Sequence, residues 1–257
     1  MNVSRLFAIA ANTLRELLRD RVLYLFALYT LIFVFCVRFI PMVSLGAGDQ
    51  ILLDIGLGLI HLLCVVLVIL LGVSMVIKEF EKRTILVLMA KPASFSELLV
   101  GKHWGLVAVM GLLVLGLGSI YSGLLLVNGV AIPIGAIAVA LLFLLLQLAL
   151  LGAIALCLGT FLGTNLGLII GYGIYVIGLL SQSLLSISKV SDNPALEKVC
   201  RVIYWTVPNL SRLNLQNDAV YGILPAADVL FASAIYGVLY TVMMLAIATL
   251  ILSRRQF

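Results

Sequence analysis

Apolar and polar positions in this chain separate into long blocks. Uninterrupted apolar runs cover about residues 22–39, 51–77, 105–127, 135–158 and 229–252, with a fifth of the six, in chain order, beginning near Leu166. A helix of roughly 20 apolar residues crosses a ~30 Å hydrocarbon core. The pattern predicts an all-α membrane protein with six transmembrane helices. Ahead of the first run, Val3, Leu6, Phe7, Ala10, Leu14 and Leu17 recur at helical spacing, while Arg5, Asn12, Arg15, Glu16 and Arg19 take the other side. Residues 1–21 therefore predict an amphipathic helix lying in the membrane interface.

Turn residues punctuate the runs. Pro41, Gly46 and Gly48 mark a loop after the first span, and Asn128 and Pro133 bracket another. Gly159, Gly163, Gly167 and Gly171 recur every fourth residue around Thr164-Asn165. The first two predict a tight helix-to-helix turn and the last two close helix packing.

Two stretches interrupt the apolar plan. Residues 78–103 carry KEFEKRTILVLMAKPASFSELLVGKH, a charged loop between spans 2 and 3. Lys78 to Ala90 predict a short helix with Glu79 and Arg83 at i and i+4, a pair contributing about 0.2–0.5 kcal/mol. Lys91-Pro92 break it, and Ser94 with Glu97 fit a capping box that opens a new helix running into the third span. The second stretch, residues 187–224, predicts an extramembrane segment in which Asn193-Pro194 start a short interfacial helix, marked by Tyr204-Trp205 and ended by Pro208.

Composition agrees with this plan: 64% of residues are hydrophobic and 11% charged, against roughly 25% charged in soluble domains. The chain is read as a single transmembrane domain, residues 1–257, with no room for a separate catalytic domain. The net charge of +5 is accounted for by basic residues flanking membrane helices, so nucleic acid is not an expected partner. Eleven Lys and Arg (Arg5, Arg15, Arg19, Arg21, Lys78, Lys82, Arg83, Lys91, Lys102, Arg254 and Arg255) fall on one side of the six-span layout. Arg38, Lys189, Lys198, Arg201 and Arg212 fall on the other. The asymmetry predicts cytoplasmic termini and loop in a bacterial-type plasma membrane, with the 187–224 segment outside. Cys36, Cys64 and Cys157 lie in apolar runs and Cys200 stands alone, so neither a disulfide framework nor a metal site is predicted. The basic, 21-residue lead into the first apolar run is unlike a cleavable signal.

Glu79-Phe-Glu81-Lys-Arg83-Thr84, then Lys91-Pro92, Ser94 and Gly101-Lys102 resemble the ordered pattern after the second span of type-2 ABC transporter permeases: acidic pair, Gly-Thr-like pair, Pro-Ser elbow, Gly-Lys. Arg83 stands where that family more often has Gly. Leu14-Arg15-Glu16 with Arg19-Asp20-Arg21 before the first span, Val207-Pro208-Asn209-Leu210 before the last, and the terminal Arg254-Arg255-Gln256-Phe257 extend the resemblance. It implies a permease subunit that pairs with a second permease chain, as homo- or heterodimer, and docks separate ABC ATPase subunits that hold ATP and Mg. Glu79, Glu81, Arg83, Thr84, Pro92, Ser94, Glu97 and Lys102 would form the docking region, with the loop helix as coupling helix. It also implies export. Gly101-Lys102 is not itself a phosphate-binding loop, because Ser96 stands five residues before Gly101 and His103 follows Lys102.

Two rival chemistries start from polar residues in the spans. Asp54 and His61, seven apart and on one helix face, would serve an ion-coupled secondary transporter as a proton relay. Gly72-Val73-Ser74 raises an intramembrane hydrolase, but no base stands near it and no H-E-x-x-H is present. No catalytic residues and no cofactor in this chain are expected. Ser119, Tyr121, Gln147, Tyr172, Tyr175, Ser181, Gln182, Tyr236 and Tyr240 are scattered polar points along otherwise apolar spans, a composition that suits a lipidic or amphiphilic cargo better than an ion.

Overall fold

A computed structural model describes residues 3–19, 23–43, 48–81, 95–190 and 194–254. The elements are α1 (Val3–Arg19), α2 (Leu23–Val43), α3 (Gly48–Glu81), α4 (Phe95–Val127), α5 (Ile134–Phe161), α6 (Thr164–Val190), α7 (Pro194–Thr206), a 3-10 turn (Leu210–Leu213), α8 (Gln216–Val220) and α9 (Ala227–Arg254). No strand occurs among the described residues. Five helices, α3 to α6 and α9, are long and apolar enough to cross a membrane, and α2 has a shorter apolar stretch at Ala27–Ile40. The architecture is that of an all-α, multi-pass membrane protein.

The longest helices are α3 and α4, of 34 and 33 residues. At 1.5 Å per residue each runs about 50 Å, well beyond a ~30 Å apolar core. Both extend into the stretch expected to be a separate loop. Lys78 to Glu81 form the last turn of α3 instead of opening a new helix, and Phe95 to His103 already belong to α4. The reason is packing: Leu99, Gly101, Lys102 and His103 are buried against neighbouring helices, which keeps the helix going. Pro41 likewise lies in the last turn of α2 and Gly48 opens α3; Gly46 lies outside the described residues.

Glycines decide how closely the helices approach. At Gly72 an added Cβ would stand 2.6 Å from the Ala155 Cβ, so α3 and α5 cross in near backbone contact. Gly159, expected in a turn, packs inside α5 against the Val73 carbonyl, where a Cβ would come within 2.9 Å. Gly167 and Gly171 of α6 meet Val73 and Ile69 in the same way, as expected of packing glycines. The turn itself is Leu162-Gly163, and Thr164-Asn165 begin α6. Near the start of α3, Gly56 lets the Tyr121 and Phe33 rings close over the backbone, and the Tyr121 hydroxyl donates to the Leu53 carbonyl at 3.0 Å. The α4 end is a Schellman cap: Gly129 has φ +73°, and Val130 N–H bonds the Leu125 carbonyl at 3.1 Å.

The 187–224 segment departs most from expectation. α6 continues to Val190 and α7 starts at Pro194, as predicted; Asn193 lies outside the described residues. Residues 208–220 pack back against the helices. Leu210, Leu213, Leu215 and Ala219 are buried, because the stretch sits on three helical glycines. Gly178 of α6 meets the Pro208 carbonyl and Leu210, Gly237 of α9 meets Leu213, and Gly58 of α3 meets Gln216.

Candidate functional site

Five consecutive residues near the start of α4, Gly101 to Gly105, meet three different helices. A Cβ on Gly101 would stand 2.8 Å from Ile9 of α1, and one on Gly105 would stand 2.6 Å from Thr13 and 2.9 Å from the Ala10 carbonyl. α1 is therefore packed along α4, not only laid on an interface. Between those glycines, Lys102 Nζ donates to Glu79 Oε1 of α3 at 2.7 Å and to the Met75 carbonyl at 3.2 Å. His103 Nε2 lies 2.9 Å from the Ala149 carbonyl of α5; a carbonyl only accepts, so that nitrogen carries the proton. Trp104 meets the Phe7 ring of α1 edge-on at 6.3 Å. One stretch of α4 thus ties α1, α3 and α5 together.

The Lys102–Glu79 pair is largely withdrawn from water, at 8% and 24% side-chain exposure. A pair so placed is screened little by salt, and removing one partner leaves a charge in a poorly solvated site. Glu97 is also buried, in the first turn of α4, where a carboxylate complements the helix dipole. Glu81 ends α3. Arg83, Thr84, Pro92 and Ser94 lie outside the described residues, as do the loop helix from residue 82 onward and the Ser94 half of the capping box. Of the eight residues assigned to docking, the structure brings Glu79 and Lys102 into direct contact and sets Glu97 in the same helix turns as Lys102.

A second, softer polar junction lies toward the other end of α3, 25 residues or about 37 Å from Glu79 by helical rise. Asp54 is exposed and its Oδ1 accepts from Gln216 Nε2 of α8 at 2.8 Å. His61 is buried, with Nε2 3.4 Å from the Tyr175 hydroxyl of α6. Gln216 also bonds the His61 side chain, so Asp54 and His61 share a partner. Both belong to one neighbourhood, because His61, Gln147, Asn214 and Gln216 line a cavity of about 20 Å³, on the order of one water. Gln147 is wholly buried and neither atom of its side-chain amide bonds a protein group.

Gln216 and Asn214 escaped the sequence reading, which placed them in an outer loop. The signal was Leu210, Leu213 and Leu215, three apolar residues close together in a polar stretch; Leu210 faces Gly178 and Leu213 faces Gly237, while Gln216 faces Gly58. Ser74, the candidate nucleophile, donates to the Leu71 carbonyl of its own helix at 3.2 Å, and His61 is 13 residues, about 20 Å, away along the axis. No group of three or more His, Cys, Asp or Glu able to hold a metal occurs among the described residues.

No model of a known protein family matches the chain, and no curated protein matches it either.

Proposed function

We propose that this chain is the membrane-spanning permease subunit of a type-2 ABC transporter, with six spans counting α2, both termini and residues 82–94 in the cytoplasm, and residues 191–193 outside. It works beside a second permease chain and is driven by separate ATPase subunits that bind ATP and Mg. One observation carries the reading. The charged 82–94 stretch is flanked by two helices that project beyond an apolar core and are joined at its base by a buried ion pair, with α1 and α5 bound to the same turns. A push on that stretch by a docked ATPase reaches four helices at once, which is what coupling to a rigid-body motion requires. The ordered resemblance from Glu79 to Lys102 supports the same reading.

The ion-coupled alternative gains little from the geometry. Between Asp54 and His61 stands Gln216, whose amide is not an acid or base near neutral pH and so breaks a simple proton relay. The hydrolase alternative lacks a base beside Ser74.

Because Glu79 is engaged with Lys102, docking is best tested at Glu81. Glu81→Lys should leave membrane abundance unchanged while lowering co-purification with the ATPase and ATP hydrolysis by the complex. In intact cells an impermeant thiol reagent should label an engineered cysteine at Ser191 and not one at Ala93. Unaltered ATPase association in Glu81→Lys would reduce the charged stretch to a topology signal, and labelling at Ala93 but not at Ser191 would overturn the orientation; either result removes the basis of the proposal.

A further inference from the structure

Beside the small cavity, with which it shares Asn214 and Leu215, a groove of about 670 Å³ opens between the 208–220 segment, α6 and the start of α9. Arg212, Asp218 and Asp228 line it with Gln182 and Asn214, while Leu215, Val229 and Ala232 form an apolar wall. Among the described residues no ion pair joins Arg212 to either aspartate. Arg212 is held instead 5.4 Å from the Tyr236 ring centroid, and Tyr236 is fixed by the Asn209 N–H, which donates to its hydroxyl at 2.8 Å. Three charges thus share one groove without neutralising one another at contact distance.

We propose that this groove binds the headgroup of a zwitterionic phospholipid, with its ammonium toward Asp218 and Asp228 and its phosphate toward Arg212. The charge count selects the headgroup: a purely anionic one would meet Arg212 but also two carboxylates, and a purely cationic one would leave the guanidinium opposed. The tail has a path, since Ile235 and Leu239 of α9, exposed and apolar, continue the Asp228–Ala232 row at i+3 and i+4 spacing. That continuity favours an amphiphile over a free zwitterion. The lipid's role as cargo rests on the permease reading; its binding does not.

The test places the full chain in lipid discs of equal phosphatidylethanolamine and phosphatidylglycerol, then measures retained lipid by native mass spectrometry after mild extraction. Wild type should retain phosphatidylethanolamine in excess. Arg212→Ala should lower that retention about tenfold, as loss of a charge-assisted contact does, with Arg212→Lys recovering part of it. The double variant Asp218→Asn, Asp228→Asn should swing the preference toward phosphatidylglycerol. Retention in the disc ratio, identical profiles in all variants, or displacement by soluble phosphoethanolamine as effective as by a short-chain lipid would each overturn the proposal. ATPase association on the same samples keeps the two readings apart: lost lipid selectivity with intact docking removes only the groove, and the reverse removes only the permease assignment.

Discussion

The two ends of α3 are held by different physics. At the Glu79 end a buried ion pair, a histidine bonded to a facing carbonyl and two glycines that admit α1 fix several helices to one turn. At the Asp54 end the 208–220 segment rests on glycines and is anchored by neutral or exposed hydrogen bonds, such as Gln216 to Asp54 at 2.8 Å. A net hydrogen bond of that sort contributes about 0.5–1.5 kcal/mol, whereas breaking the largely buried Lys102–Glu79 pair costs about 2–3 kcal/mol. The comparison teaches that the first end is fixed by charge and close backbone packing, while the second is seated by the buried side chains of Leu210, Leu213 and Leu215 and has only weak polar anchors.

The contrast is broken most strongly at Gly105. Gly105→Leu forces α1 away from α4, because the first added carbon already collides with Thr13 and with the Ala10 carbonyl, which belongs to backbone and cannot swing aside. Overpacking of this kind costs about 3 kcal/mol or more. It should appear as a large fall in the melting temperature in detergent and as loss of a disulfide engineered between the two helices.

Lys102→Met comes next, with an expected loss of about 2–3 kcal/mol, below the fully buried range because Glu79 keeps 24% exposure. Adding Glu79→Gln should restore more than half of it. Simple additivity of the two changes in a double-mutant cycle would mean that the pair does not join α3 to α4 energetically.

Gly178→Ala sharpens the comparison at the softer end. The new methyl meets the Pro208 carbonyl at 2.8 Å, so the segment must lift, at about 1–2 kcal/mol. Faster hydrogen exchange confined to residues 208–220 is the expected signature; uniform protection would show that the segment is as firmly seated as α1. The smallest effect belongs to Gly163→Ala, within about 0.5 kcal/mol, since nothing lies within 4 Å of its Cβ position.

Helix existence was legible in the sequence because each span is a long apolar block, and five of the blocks returned as helices of spanning length. Boundaries were less so. Composition marks where a helix leaves the lipid, not where its backbone bonds end, so α3 and α4 ran on past Ile77 and started before Trp104. Lys102 and Glu79 were recognisable as a motif, but their contact spans 23 residues across stretches whose path composition does not encode. The 208–220 fold-back was hidden for a similar reason. Its seat is three glycines on α3, α6 and α9, and its anchor pairs residues 162 apart.

The seat of α1 has a consequence for the order of assembly. Val3–Arg19 leaves the ribosome about 80 residues ahead of Gly101 and Gly105, which build the surface that Ile9 and Thr13 cover. Until that later stretch is synthesised and inserted, α1 has no protein partner at this surface. Its two-sided pattern, apolar against charged, then keeps it parked at the lipid headgroups. Docking onto α4 is therefore a late, long-range step in biogenesis, and chains stalled before residue 105 should carry a first helix that proteases reach and that finished chains protect.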